Sequence, residues 1–187
     1  MQDSQAENKL ETAVFGGGCF WCTEAIFQRL RGVESVESGY TGGRLPNPTY
    51  EQVSLGNTGH AEAIKIEFDP SIIKYTDLLN VFFATHDPTT LNRQGADVGE
   101  QYRSAVFYTS SEQKKEARDF IQKLAYEEIY TDPIVTEISQ LDKFYPAESY
   151  HQRYYDQNQN KTYCQVVINP KVAKLRQKFA ALLKESV

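Results

Sequence analysis

The sequence is short of cysteine, of positive charge and of long apolar runs, and each shortage excludes a class of protein. Three cysteines in 187 residues are too few, and odd in number, for a secreted disulfide scaffold. Lys and Arg total 20 against 25 Asp and Glu, so a nucleic-acid-binding surface is not expected. No apolar run approaches the roughly 18 residues of a membrane span, and the polar N-terminus lacks a signal-peptide pattern. We therefore expect a cytoplasmic protein that binds neither nucleic acid nor membrane.

The rest of the composition is that of a globular domain. Apolar residues make up 40% of the chain, and neither a repeat nor a low-complexity linker divides it. The sequence therefore predicts a single domain over residues 1–187, with residues 1–11 as a disordered tail.

Strand and helix patterns alternate imperfectly along the chain. Periodicity and turn residues predict strands at 12–15, 33–40, 61–69, 104–109 and 134–138 and helices at 20–31, 76–87, 111–128 and 170–184. Residues 165–187 are expected to form an atypical strand followed by a helix. Neighbouring strands are too close in sequence for helical crossovers, which favours an α+β two-layer sandwich with a C-terminal helical extension over a doubly wound parallel sheet.

The most unusual stretch is 12-TAVFGGGCFWCTEAIFQRLRG-32, in which a strand pattern meets a helix pattern through three glycines. Cys19 lies directly after the glycines, at the predicted start of the helix. Free amide groups and the helix dipole favour a thiolate there, so we expect the pKa of Cys19 to fall below its usual value of about 8.5. The alternative is a buried structural cysteine.

Cys22 follows three residues later, on the apolar face of the same predicted helix. It is either a packed thiol, a redox partner of Cys19 in a Cys-x-x-Cys pair, or a zinc ligand together with His151 and Cys164. The Phe-Trp pair between the two cysteines is poorly suited to a zinc knuckle.

Glu62 stands near the start of the clearest strand pattern, 61-AEAIKIEF-68. Period-two alternation places its carboxyl group on the same face as Ile64, Ile66 and Phe68. Burial raises the pKa of a carboxylic acid and suits it to donate a proton near neutral pH. The alternative is that Glu62 marks the exposed beginning of the strand.

Three further polar groups border loops. Tyr50 follows a Pro-rich turn, and Tyr102 follows the polar loop 88–101, which is long enough to be a binding loop. Both tyrosines are neutral hydrogen-bond donors, although each one alone is better explained as a boundary aromatic than as a catalytic group. Asp97, inside the loop, is either a site residue or a turn former.

The strings GGGCFWCTEAIFQRLRGV, NPTYEQV, TGHAEAI, HDPTTLNRQGADVGEQYRSAVFY and FYPAESYHQRYY resemble the peptide methionine sulfoxide reductase family, A type. They follow the family's order over residues 12–165. The resemblance implies a ferredoxin-like α/β sandwich that reduces the S epimer of methionine sulfoxide. It also implies a catalytic monomer with no metal or organic cofactor, which an external dithiol, thioredoxin, regenerates.

The resemblance further implies a role for each candidate residue. Cys19 would be the nucleophile, Glu62 the acid, Tyr50 and Tyr102 hydrogen-bond donors to the sulfoxide oxygen, Asp97 an ordering group, and Phe20 and Trp21 an apolar cage for the substrate methyl group. Cys164 matches the position of the family's resolving cysteine. Cys22 is the alternative resolver, since it stands where the family usually has glycine.

Two other functions are compatible with parts of the pattern. In a thioredoxin-like disulfide oxidoreductase, Cys19 and Cys22 would cycle together on protein substrates, but Glu62 and the tyrosines would have no task. A non-catalytic module that binds oxidised methionine would use the aromatic cage but would have no need of a thiolate.

Overall fold

The computed structural model describes residues 9–185. Within them, six strands form one sheet in the order β7–β6–β1–β3–β2–β8. These strands are β1 (Glu11–Gly17), β2 (Val33–Thr41), β3 (Ala61–Phe68), β6 (Ser104–Tyr108), β7 (Glu137–Gln140) and β8 (Phe144–Pro146). A separate hairpin consists of β4 (Arg93–Gln94) and β5 (Asp97–Val98). Residues 1–8 of the predicted tail lie outside the described residues, whereas Glu11 already belongs to β1.

The helices are α1 (Phe20–Phe27), α2 (Tyr50–Ser54), α3 (Tyr75–Thr85), α4 (Ser111–Tyr126), α5 (Tyr154–Gln157) and α6 (Asn169–Lys178). Pairing within the sheet is antiparallel except between β6 and β7, which are parallel. The architecture is therefore a mixed α/β fold, as predicted. No helix within residues 9–185 has the length and apolarity needed to cross a membrane.

The sheet has two differently covered faces. Phe15 of β1 stacks on Phe82 of α3 with ring centroids 4.8 Å apart and lies 5.6 Å from the ring of Phe27 of α1. The neighbouring Val14 belongs to a separate cluster on the other face, where the partly buried Phe144 packs. Side chains alternate along a strand, so β3 directs Glu62 and Ile64 toward the face covered by helices.

Each predicted helix extends beyond the observed one, since α1, α3, α4 and α6 end at Phe27, Thr85, Tyr126 and Lys178. α1 ends at Phe27 rather than Arg31, because the backbone N–H of Arg31 donates to the carbonyl of Leu182 near the C-terminus (2.8 Å). α3 has its N-cap at Lys74 rather than at Thr76 or Asp77. Asp77 instead accepts a hydrogen bond from the Lys74 backbone N–H at 3.0 Å.

The predicted C-terminal strand is wrong. Residues Cys164–Ile168 form a π-helical turn that runs into α6. Cys164, Ile168 and Val172 are buried while Val166 is 67% exposed, and burial every fourth residue is typical of a helix. The β-branched run at 166–168 suggested a strand, but tertiary packing outweighs that propensity. The predicted strand at 134–138 is also displaced and begins at Glu137.

Candidate active site

The glycine-rich turn brings Cys19 to the first turn of α1. Gly18 has a φ of +91°, a conformation in which side chains are strained. A Cβ atom there would lie only 2.5 Å from Cγ of Gln94. Glycine is therefore required at this position, and Cys19 follows as the N-cap of α1 with 9% of its surface exposed.

The pKa of Cys19 was predicted to be lowered, and the structure contradicts this. Burial raises the pKa of the Cys19 thiol well above its usual value, and the hydrogen bond to Cys22 and the negative charge of Glu62 raise it further. The backbone N–H of Trp21 acts in the opposite direction. The predicted effect of the helix N-terminus is thus present, but desolvation outweighs it.

Cys22 is the more acidic thiol of the pair. The hydrogen bond from Cys19 lowers the pKa of Cys22 to about 7, against an opposing effect of burial, and Lys171 and the Tyr163 hydroxyl also lower it. Cys22 Sγ lies 3.7 Å from the Tyr163 hydroxyl, and the side chain is 1% exposed. Cys22 is therefore both packed and in contact with Cys19, as two of its three sequence-based interpretations require.

Glu62 is 2% exposed, so the exposed-strand alternative is excluded. One carboxyl oxygen accepts a hydrogen bond from the Phe20 backbone N–H at 3.0 Å, which ties β3 to the first turn of α1. Burial raises the pKa of Glu62 to about 8, and the nearby Asp97 and Cys22 contribute, although the Phe20 N–H works against them. The acid is therefore mostly protonated at neutral pH.

Tyr50 and Tyr102 lie beside the same groups. Burial raises the pKa of both phenols, and in each case the charges of Glu62 and Cys19 add to the effect. Both hydroxyls are therefore neutral donors. Tyr50 is the first residue of α2 and is held by its backbone N–H, which donates to Glu148 at 3.1 Å.

Asp97 meets a group that the sequence analysis missed. Its carboxylate accepts a hydrogen bond from the Tyr163 hydroxyl at 2.8 Å. Because Tyr163 also reaches Cys22, it connects the long loop to the thiol pair. Tyr163 directly precedes Cys164, so the C-terminal segment lies against the site.

The two expected cage residues differ in accessibility. Phe20 is completely buried between Tyr40 and His151, at centroid distances of 5.7 and 5.2 Å. Trp21 is only partly buried, so it supplies the accessible apolar surface. Its ring stacks on that of Tyr154, with centroids 3.7 Å apart and planes inclined by 8°.

The indole N–H of Trp21 donates to Nδ1 of His151 at 3.1 Å. His151 was considered only as a zinc ligand, and this contact gives its ring a different use. Within residues 9–185 no three His, Cys, Asp or Glu side chains are arranged to hold a metal ion. The aromatic density of 150-YHQRYY-155 was the available signal for a role beside Trp21.

Cys164 is fully buried in a cluster with Cys19, Cys22 and Tyr155. All three cysteines are free thiols. Burial and the neighbouring Cys22 sulfur raise the pKa of the Cys164 thiol. The predicted residues thus come together at one site, and within it the side chains of Cys19 and Cys22 interact directly.

The family model for peptide methionine sulfoxide reductase matches residues 11–183. The chain belongs to the peptide methionine sulfoxide reductase family. It is 57% identical over 183 residues to the peptide methionine sulfoxide reductase MsrA of Deinococcus radiodurans, and the match covers 98% of this chain and 89% of the relative. The resemblance inferred from the sequence motifs is thereby confirmed, and the protein is an oxidoreductase of this family.

Solved structures of a yeast relative have the same fold. Mxr1 from Saccharomyces cerevisiae in reduced form matches with a TM-score of 0.77 and 32% identity, covering 84% of this chain and 91% of that one. Mxr1 in complex with Trx2 matches with a TM-score of 0.54 and 23% identity, over 82% and 89% of the two chains.

Replacing Glu62 by Gln should remove a pH-dependent loss of stability. The folded-state pKa of about 8 lies above the unfolded value of about 4.3. The stability that protonated Glu62 contributes is therefore complete below pH about 4 and is lost as the pH rises to about 8. Between pH 5 and pH 8, the free energy of unfolding of wild type, measured with urea, should fall by on the order of 3 kcal/mol more than that of Glu62→Gln.

Glu67→Gln is the matched control, since Glu67 lies on the same strand, is only partly buried and should follow wild type. Parallel stability curves for wild type and Glu62→Gln would contradict the raised pKa.

Proposed function

We propose that the protein reduces methionine S-sulfoxide, free or in peptides, to methionine, with Cys19 as nucleophile and Glu62 as acid. The observation that supports this best is the Phe20 N–H bond to Glu62, at 3.0 Å. It holds a protonated carboxyl group beside the first turn of the helix that presents Cys19. A sulfoxide oxygen must be protonated before it can leave, so a buried neutral acid next to a thiol suits this reaction.

The raised pKa of Cys19 means that its thiol must lose a proton before it attacks. Cys22, to which Cys19 donates a hydrogen bond and whose pKa is about 7, is the nearest acceptor. Proton transfer between the two sulfurs yields Cys19 thiolate and Cys22 thiol. The thiolate then attacks the sulfoxide sulfur while Glu62 transfers its proton to the oxygen.

Tyr50 and Tyr102 donate hydrogen bonds to that oxygen, and these bonds strengthen as negative charge develops on it. Asp97 orders the loop through Tyr163. The oxygen, protonated by Glu62, then moves from the substrate sulfur to the Cys19 sulfur, while the bond formed between the two sulfurs breaks and its electron pair returns to the substrate. Methionine is released, and Cys19 is left as a sulfenic acid. Trp21 receives the substrate methyl group, with the buried Phe20 supporting the wall behind it.

The sulfenic acid is resolved by a second thiol, which forms a disulfide and releases water. The hydrogen bond between Cys19 and Cys22 favours Cys22 as the first thiol to react. Cys164 is packed in the same cluster. Its thiolate then attacks the Cys22 sulfur, which forms the Cys22–Cys164 disulfide, breaks the Cys19–Cys22 bond and releases Cys19 as a thiolate. The sequence-based preference for Cys164 thus becomes the second step of a relay.

Several finer features belong to the same proposal. The order β6–β1–β3–β2 with α1 and α3 as connections supports a ferredoxin-like topology, and residues 1–187 act as one catalytic domain. An external dithiol, thioredoxin, returns the disulfide to thiols, in line with the Trx2 complex of the yeast relative. Three free thiols suit a reducing cytoplasm. The enzyme works as a monomer without metal or organic cofactor.

A single turnover without reductant tests the reaction and the relay together. Wild type given one equivalent of methionine S-sulfoxide should release methionine and form a disulfide that mass spectrometry of the thiol states assigns. Cys164→Ser should stop at a Cys19–Cys22 bridge, whereas wild type should accumulate Cys22–Cys164. Cys19→Ser should release no methionine.

Each contrary result has a distinct meaning. A Cys19–Cys164 bridge in Cys22→Ser, formed at the wild-type rate, would make Cys164 the direct resolver. Absence of methionine release from wild type would overturn the reductase proposal and favour the disulfide oxidoreductase or binding alternatives.

Glu62→Gln should lower kcat by roughly 10²–10³, the usual contribution of one general acid or oxyanion donor. Steady-state kinetics with dithiothreitol measure this, with Glu67→Gln as the control that should retain activity. Wild-type turnover in Glu62→Gln would exclude the acid assignment.

A further inference from the structure

Glu24 is a buried carboxyl group that the reaction does not use. It lies on α1, and its side chain is 1% exposed. One oxygen accepts a hydrogen bond from the Arg153 backbone N–H at 2.8 Å, and the neighbouring Tyr154 N–H acts to lower the pKa of the carboxyl group, although burial raises it overall. The second oxygen, Oε2, is buried without a hydrogen-bond partner among the described residues. Burial of a carboxyl group costs free energy of folding, so a buried Glu24 that takes no part in the reaction needs another role.

The backbone amides that lie against the Glu24 carboxylate are those of Arg153 and Tyr154, at the start of α5. Arg153 is the N-cap of this helix and makes no side-chain capping bond. Its φ of 52° is in the left-handed region, which costs a residue other than glycine about 1 kcal/mol. Free amides at a helix start need acceptors. Glu24 supplies the acceptor from α1 and so fixes the sharp corner that leads into α5.

This corner determines where Tyr154 points. Tyr154 is the first residue of α5, and its ring lies parallel to that of Trp21 at 3.7 Å. A second contact holds Trp21 at its nitrogen, where the indole N–H donates a hydrogen bond to His151. The indole is therefore held by one contact on its ring plane and one at its nitrogen. Both partners lie in the segment that begins three residues before α5.

Other links between α1 and α5 are more exposed. Arg29 pairs with Asp156 at 3.1 Å with side chains 21% and 28% exposed, and Gln28 donates to the same carboxylate at 3.0 Å. Contacts of this kind contribute little on their own. Glu24 is the buried link that acts on the backbone of the corner itself.

We propose that Glu24 is a positioning residue for the reductase reaction, which holds the Arg153–Tyr154 corner and thereby keeps the Trp21 indole in place for the substrate methyl group. The inference rests on the proposed function, since it assigns Trp21 to the substrate. Glu24 acts through Tyr154 and does not contact the reacting atoms.

The chain offers a direct probe, because Trp21 is its single tryptophan and intrinsic fluorescence therefore reports on this indole alone. Glu24→Ala removes the acceptor and should increase acrylamide quenching of Trp21. It should also raise KM for methionine sulfoxide roughly tenfold with a smaller effect on kcat, because the methyl-binding surface is displaced while the thiol and acid remain. Glu24→Gln keeps a carbonyl acceptor and should restore both readouts.

Gln113→Ala is the matched control. Gln113 is a buried polar residue on α4 whose side chain also bonds backbone, donating to the Thr12 carbonyl at 2.8 Å and accepting from the Thr109 N–H at 3.0 Å. Its loss should lower stability but leave Trp21 quenching and KM unchanged.

Tyr154→Leu serves as a second variant, since it removes the stacked ring but keeps the buried bonds of Glu24, and it should reproduce the quenching and KM changes.

Wild-type quenching and KM in folded Glu24→Ala would overturn the proposal. If that variant does not fold, unchanged values in Tyr154→Leu would overturn it instead. Equal changes in Gln113→Ala would show a general loss of stability and would also overturn it. Failure of wild type to reduce methionine sulfoxide would defeat the proposed function, whereas the quenching comparison would still test the corner.

Discussion

The hydrogen bond from the Phe20 backbone N–H to the Glu62 carboxyl group is the contact on which the site depends. It joins the start of α1 to the middle strand of the sheet, and Cys19 stands one residue before the donor. Since β3 pairs with both β1 and β2, the position of Glu62 is fixed by the sheet. The thiol is fixed in turn by the Gly-rich end of β1, so the proposed acid and the proposed nucleophile are both placed by rigid elements.

Burial raises the pKa of both groups, which favours the proposed role of Glu62 but opposes that of Cys19. It raises the pKa of Glu62 to about 8, which keeps a proton available for the sulfoxide oxygen. It also raises the pKa of Cys19, which opposes formation of the nucleophile. Cys22, whose pKa is about 7, lies next to Cys19 and can accept the proton of the Cys19 thiol, which produces the Cys19 thiolate. In the proposed reaction, Cys22 therefore accepts the Cys19 proton before it resolves the sulfenic acid.

Much of this could be predicted from the sequence, for identifiable reasons. The alternation in 61-AEAIKIEF-68 placed Glu62 on the core face because a half-buried strand repeats every two residues. The three glycines located the turn before Cys19. Residues 164–168 were wrongly predicted as a strand, because β propensity is a local property and does not depend on the packing of Cys164 and Ile168 in the thiol cluster. The rise in the Cys19 pKa was missed because it depends mainly on burial, with a further contribution from Glu62, and only the fold determines how deeply the thiol is covered and which charges lie near it. The contacts of Glu24, His151 and Tyr154 were not foreseen for the same reason, as their partners are more than 100 residues away.

The proposed reaction requires the Glu62 carboxyl group to be neutral at neutral pH. Difference infrared spectroscopy of wild type minus Glu62→Gln at pH 7 measures this protonation state, since a protonated carboxyl group and a carboxylate absorb in separate regions. Glu24, whose pKa burial raises to about 7, is common to both proteins and cancels in the difference. A neutral Glu62 should give a carboxylic acid C=O band that disappears as the pH rises above about 8. A carboxylate band alone at pH 7 would contradict it.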